Sequence, residues 1–575
     1  MSISSRLSHP LAVIVTLACS LLVLASPKDK DKDKDKEKEN NAEVKFTSRA
    51  ELVLIPTLVT DKSGAHITGL KKEDFTLLEN GAEQKIATFE EITSDPHYWP
   101  RPAKPNEFSN SPAGGSSARR ITLIVLDFIN TPFMDQANAR KELLKYLTQS
   151  VDRREPTGLY TLTRGGVRVI HDFTSDPRVL VAALHRVKGD PLQTVDSQED
   201  VEAVTGSASP DGSAGVDPGA VQSEADKLQT MMEDQELNFQ SFEQRLAITY
   251  TLEGMQQMAQ ALSGFPGRKS IIWAGGGFPF SVSDNTMQLA PAGRDTLTDV
   301  MPLYEHTWQL LNDAQIALYP LDVKGLQVVT TPSASVRNPG RNYARNMSWR
   351  QTDTQSTLQT FAAMTGGRAY YNSNNLAKGF RAAVADSAQY YMLGYYLNQS
   401  NTKPGWRKLA VKVKRDHVEV RARSGFFVTK ATIDPGTNSN SDILSALRSP
   451  LDYTSLALVA RWDNTTAGKD PGKKHILYQL HVTADSELID NSDNNHIALE
   501  FVALVKTPEG KPVDKPVGQT INAHLNAGQL SSMLQKGAAY TGALELAPGE
   551  YSVRFVVRDN LSGRVGSVSA PLKVQ

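Results

Sequence analysis

Ile121-Thr122-Leu123-Ile124-Val125-Leu126-Asp127 is an almost unbroken apolar run that ends in a carboxylate. A strand that is apolar on both sides must be covered on both sides, so the run reads as a buried strand of a parallel sheet. The chain beyond Asp127 keeps the matching rhythm. A helical pattern runs through Ala137, Leu143, Leu144 and Leu147, then come strand-like runs at Leu159–Leu162 and Val167–Ile170 and a helix over Pro177–Val187. Helix Leu246–Leu262 leads into Ser270–Ala274, and helix Met301–Asp313 into Ile316–Asp322. Helix Gln355–Thr365 leads through the helix stop Gly366-Gly367 into Arg368–Tyr371. Strands alternating with helices imply a doubly wound, mostly parallel α/β sheet over 119–388. Two stretches break the alternation. Residues 189–238 are poor in large apolar side chains and read as a flexible insertion, and Gly325–Thr354 reads as a mobile polar loop.

The flanks are β-rich. Leu52–Thr60, Phe75–Leu78 and Gln84–Phe89 are strand-like, and Asn80-Gly81 is a hairpin signal between the last two. Gln389–Leu397, Leu409–Val413 and Val418–Ala422 return to β character. Each set is too small to make a core alone, so segment 43–95 is expected to pair with 389–430 across the inserted α/β domain. Stretches 96–118 and 431–445 read as linkers, and 446–575 as an antiparallel β-sandwich. In its Tyr551–Arg558 stretch, Val553, Phe555 and Val557 mark a buried face, and Ser552, Arg554 and Arg558 a wet one.

At the N-terminus, Arg6 and His9 precede the apolar run Leu11–Leu24 and the small residues Ala25 and Ser26. This is signal-peptide patterning over 1–25, and the run is shorter than the roughly 20 apolar residues of a membrane span. The expectation is therefore export to the periplasm, cell surface or exterior, with no transmembrane span once the signal is removed. Cys19, the single cysteine, lies inside this signal, so disulfides and thiolate metal sites are not expected in the mature chain. Residues 26–42, with base and acid alternating from Lys28 to Glu39, read as a disordered spacer. Overall, 62 basic residues against 63 acidic ones leave no field to attract nucleic acid.

Several separated segments then occur in a recognisable order: TDKSGAHITGLKKEDFTLLENGAEQKIATFEE, ITLIVLDFINT, FPGRKSIIWAGGGFP, AQIALYPLDVKGL, LQTFAAMTGGRAYYNSNNL and YYMLGYYL. Over about Val44 to Val428 the chain resembles the bacterial, acidobacterial-type von Willebrand factor A-related domain proteins. The resemblance implies a von Willebrand A-like fold and a role in protein binding or adhesion outside the cytoplasm. It implies no defined ligand.

The resemblance also implies a metal-ion-dependent adhesion site, and the residues match it only in part. Mg²⁺ wants about six oxygens. Of the expected Asp-x-Ser-x-Ser loop, Asp127 and Thr131 match, while Ile129 offers no side-chain oxygen. Thr249 or Thr251 is placed to supply the expected later threonine. The second aspartate is missing, because Ala274-Gly275-Gly276-Gly277 stands in its place. Asn130 and Asp322 are the remaining oxygen donors at that edge of the sheet, Asp322 from a strand expected to lie beyond a neighbour. The site therefore reads as degenerate. No cofactor is expected, and any bound ion would be Mg²⁺.

Other groups carry less. Asp485, Asp490, Asp493, Asn494 and Asn495 lack the spacing of a calcium loop and read as a solvated turn. Arg337, Arg341, Arg345 and Arg350 read as a mobile charged loop. The tyrosine pairs at 370–371, 390–391 and 395–396 read as alternating burial in a sheet. Gly-x-Ser-x-Gly, His-Glu-x-x-His and Cys-x-x-Cys are absent, and His171, His185 and His306 are isolated. The expectation is a non-enzymatic, exported protein-binding chain. A structural envelope component is the alternative, and an extracytoplasmic hydrolase comes behind both.

Overall fold

Ile121–Asp127 is buried along its whole length and lies at the centre of a five-stranded sheet. The computed structural model describes residues 50–93, 106–110, 121–149, 156–187, 218–283, 286–288, 297–325, 354–373, 375–398, 403–428 and 439–575. The expected signal, the charged spacer and the arginines at 337–350 lie outside the described residues. Strand order in the central sheet is Ile316–Asp322, Lys269–Gly275, Ile121–Asp127, Thr157–Thr163, Gly166–Thr174. The first four strands run parallel, and every residue in them is buried. The fifth is antiparallel because the tight Arg164-Gly165 turn joins it to its neighbour, so the sheet is mixed.

Alternate strand residues feed two cores. Leu123, Val125, Ile271, Trp273 and Leu318 pack with Ile248, Leu252, Met255, Trp308 and Phe361 on one face. Ile124, Leu126, Ile272, Ala274 and Tyr319 pack with Leu143, Tyr146, Leu184 and Phe380 on the other. Helices Pro218–Leu262, Leu297–Asp313 and 354–365 thus cover one face, and Phe133–Gln149, Pro177–Arg186 and Leu376–Ala385 the other. Chain order changes direction at Ile121–Asp127, where strands on its two sides are reached by connections running opposite ways. In open α/β sheets such a turning point, at the carboxyl ends of the strands, is the usual place for a ligand.

Two readings of this region need correction. The helix expected from Leu246 begins earlier, at Pro218, in the last part of the stretch 189–238 read as a flexible or weakly helical insertion, of which 189–217 lie outside the described residues. Ala, Gln, Glu, Lys, Leu and Met dominate there, and their helix propensity outweighs the scarcity of large apolar residues. The expected strand Arg368–Tyr371 reduces to a single bridge between Tyr370 and Leu321.

Ala50–Asp61 pairs antiparallel with Gln389–Asn398 and Val418–Arg421, and Phe75–Glu79 pairs with Gly405–Val413. Val53, Ile55, Phe75 and Leu77 share one core with Tyr391, Leu393, Tyr395 and Leu409. Asn80 and Gly81 both have positive φ, 48° and 86°, as the tight hairpin turn between Phe75–Glu79 and Ala82–Gln84 requires.

The C-terminal part holds two four-stranded antiparallel sheets with a common core that includes Tyr478, Leu480, Phe501, Val553, Phe555 and Val557. Both stretches read as linkers contribute to it. Glu107–Ser109 pairs with Val459–Arg461, and the Asn110 side chain ties down the Tyr453 and Leu456 carbonyls and the Leu458 N–H. Helix Ser439–Arg448 covers the face read as wet. Arg554 and Arg558 are each only 2% exposed. Arg558 donates to Asp442 at 2.9 and 3.0 Å, and Arg554 pairs with Asp452 and donates to Ala446, Ser567 and Ser569. Gly264 closes the junction to the central domain: its N–H donates to Thr454 Oγ1 at 2.7 Å, and a Cβ there would meet the Thr454 carbonyl at 2.4 Å. No helix among the described residues is long and apolar enough to cross a membrane.

Candidate functional site

Asp127 ends the central strand, and the chain folds back over its side chain. Oδ1 accepts the backbone N–H groups of Ile129 and Asn130, both at 3.0 Å, in the way a short acidic side chain commonly closes a turn. Oδ2 accepts the Asn130 amide Nδ2 at 2.8 Å and the Trp273 indole Nε1 at 3.0 Å. A carboxylate has about four acceptor positions, and here four N–H donors take them. The group is 1% exposed. Burial pushes its pKa up to about 6, while the donors from Asn130, Trp273 and Ile129 oppose that rise.

Thr131 and Thr251 complete the cluster, and each hydroxyl is engaged by protein groups. Thr131 Oγ1 accepts the Gly276 N–H at 2.9 Å. Thr251 Oγ1 accepts from Asn130 Nδ2 at 2.9 Å and donates to the Ala247 carbonyl at 2.7 Å. Thr249 is a correction: it hydrogen-bonds the Arg245 carbonyl one turn back on its own helix and does not join Asp127. Helical spacing explains the split, since residues two apart face different ways. Asn130, weighed as an oxygen donor, instead presents its N–H₂ group to the carboxylate. Asp322 is level with Gly275, two strands from Asp127, and accepts the Lys324 N–H at 3.0 Å. Burial raises its pKa, against the Lys324 N–H and charge.

The glycines at 275–276 let this loop close. A Cβ on Gly275 would meet Asp127 Cβ at 3.1 Å, and one on Gly276 would meet the Asn130 carbonyl at 2.8 Å. The residues do not fit a six-oxygen Mg²⁺ site. The one carboxylate is saturated by N–H donors, Ile129 brings no oxygen, and the second aspartate's place is held by glycine. Trp273 is the participant that sequence reasoning missed; its only trace is an indole two residues before Gly275 on what proves to be the adjacent strand.

The three isolated histidines stand on three different elements: strand Gly166–Thr174, helix Pro177–Arg186 and helix Leu297–Asp313. His171 engages the neighbouring Asp172 carbonyl at 2.6 Å. The tyrosines divide by burial, with Tyr390, Tyr391 and Tyr395 in the core and Tyr396 59% exposed, so they form no common aromatic surface. Asp485 caps the turn Ser486–Leu488 and pairs with Arg564, whereas Asp493 lies with two histidines.

No family model matches the chain, and no curated protein matches it. Among solved structures it is similar to the ArnB paralog VWA2 from Sulfolobus acidocaldarius, at 11% identity over 85% of this chain and 76% of that one, with a TM-score of 0.19. It is also similar to the human COPII-coat protein Sec24c, at 8% identity over 85% of this chain and 46% of that one, with a TM-score of 0.21. At such scores these likenesses carry no argument, and the fold stands on its own strand order and cores.

Proposed function

We propose that the chain is an exported, non-catalytic protein-binding scaffold. Its central domain, a von Willebrand A-like doubly wound sheet by this reading, engages a partner without a bridging metal ion. The contact is made by the loops at the carboxyl ends of the parallel strands. The observation that carries the proposal is Asp127: it stands at the turning point of the strand order, where such sheets bind, yet its carboxylate is taken by four protein donors. The order of the sequence motifs and the N-terminal patterning support export and the fold assignment.

The test is a pull-down from envelope extract with the chain lacking 1–25 as bait. It is run after chelation and again with Mg²⁺ restored. The expected result is one partner retained equally in both and weakened by Lys324→Glu, since Lys324 borders the Gly276 turn. Retention that requires Mg²⁺ overturns ion independence. No partner under either condition overturns binding and leaves a structural envelope role.

A further inference from the structure

His496 and His524 stand directly opposite each other where the antiparallel strands His496–Lys506 and Val517–His524 meet at their ends. Their rings stack with centroids 4.8 Å apart and planes 19° from parallel. Asp493, three residues before His496, turns one carboxylate oxygen to each ring. Oδ2 is 3.1 Å from His496 Nδ1, and Oδ1 is 3.5 Å from His524 Nε2. The backbone holds this arrangement: Asn494 and Asn495 both take left-handed φ values, 51° and 57°, and Asp490 bridges to His496.

The hydrogen-bond chemistry asks for a cation. His496 Nε2 lies 2.7 Å from Asn522 Oδ1, an acceptor, so Nε2 carries the ring hydrogen. In a neutral ring Nδ1 is then a bare lone pair, aimed at a carboxylate oxygen that also has only lone pairs. Two acceptors this close are stable only with a positive charge between them, either a proton on the ring or a bound ion. Imidazole nitrogen with carboxylate oxygen is the donor set of zinc and its neighbours rather than of calcium or magnesium. One ligand atom from each of Asp493, His496 and His524 lies within 4.8 Å of the other two, close enough for the three side chains to converge on one ion. Asn522 holding the far nitrogen of His496 is the outer contact that metal-binding histidines usually have.

We propose that Asp493, His496 and His524 bind a divalent transition metal of the zinc class at the edge of the C-terminal sheets. Three protein ligands leave a fourth position for water or for a donor from a partner, and with Asp493 60% and the His524 side chain 51% exposed the site faces solvent. The site is independent of the central domain and of the proposed partner binding.

The experiment is calorimetric titration of Zn²⁺ into the untagged protein at neutral pH, with Co²⁺ absorption reporting nitrogen and oxygen coordination. A single saturable site is expected. Binding should be lost in His524→Ala, whose exposed ring can be removed without opening the core, and weakened about 10–100-fold in Asn522→Ala. It should also fade in acid, where protons compete with the metal for the imidazole nitrogens. Absence of saturable Zn²⁺ binding, or binding unchanged in His524→Ala, overturns the proposal.

Discussion

The Trp273 indole Nε1 donates to Oδ2 of Asp127 at 3.0 Å, reaching across from the adjacent parallel strand. With the Asn130 side chain and two backbone N–H groups, it fills the positions from which a cation would draw its oxygen ligand. The end of the central strand is thus closed by hydrogen bonds, and its chemistry follows from that.

Asp127→Ala removes the acceptor of four N–H bonds, one each from Ile129 and Trp273 and two from Asn130, whose amide keeps only Thr251 Oγ1. Chemical denaturation should show a loss of about 2–4 kcal/mol, with Trp273→Phe, which removes a single donor, costing about 1–2 kcal/mol. An unpaired carboxylate kept for an ion would behave oppositely, and a stabilised Asp127→Ala would sink this reading.

The same carboxyl should titrate visibly. Its folded pKa of about 6 stands above the ordinary 3.8, so the stability it contributes is full below about 3.8 and is lost as pH rises through about 6. Set against Asp127→Asn, wild-type stability should fall by up to about 3 kcal/mol across that window. Trp273 fluorescence should follow the same midpoint, and a flat difference between the two proteins would contradict it.

Much of the fold was legible because burial on two faces leaves a mark in one strand. Ile121–Asp127, Ser270–Ala274 and Ile316–Asp322 are continuous apolar runs for that reason. The chemistry at Asp127 was only half legible. Loop spacing puts Asp127 and Thr131 together, but the Trp273 contact depends on cross-strand register, which no local pattern carries. The face bearing Arg554 and Arg558 was misread for a related reason. Alternation shows which face is apolar, not whether the polar face is wet, and here Asp442, Asp452, Ser567 and Ser569 satisfy the two guanidinium groups under a helix.

Gly276→Ala should cost about 1–3 kcal/mol in the denaturant midpoint, because the added carbon would sit 2.8 Å from the Asn130 carbonyl. Gly275→Ala, whose nearest contact is 3.1 Å, should cost less. Equal stability of wild type and Gly276→Ala would show that the loop closes in some other way.

Lys269 is buried at the start of its strand and donates to the Phe265 carbonyl at 2.8 Å. Burial lowers its pKa from 10.5 to about 7. Between these values the unfolded chain binds the proton and the folded one does not, so stability should rise as pH climbs from about 7 toward 10.5. Thermal unfolding across this range should show the rise in wild type and a flatter profile in Lys269→Met. Identical profiles would place the amine in contact with water.

Calorimetric titration of Mg²⁺ into wild type and Asp127→Ala, after chelation and at neutral pH, bears most directly on the ion-independent reading. That reading requires indistinguishable traces with no saturable Mg²⁺ site at the end of the central strand. A saturable Mg²⁺ site in wild type that disappears in a folded Asp127→Ala would contradict it.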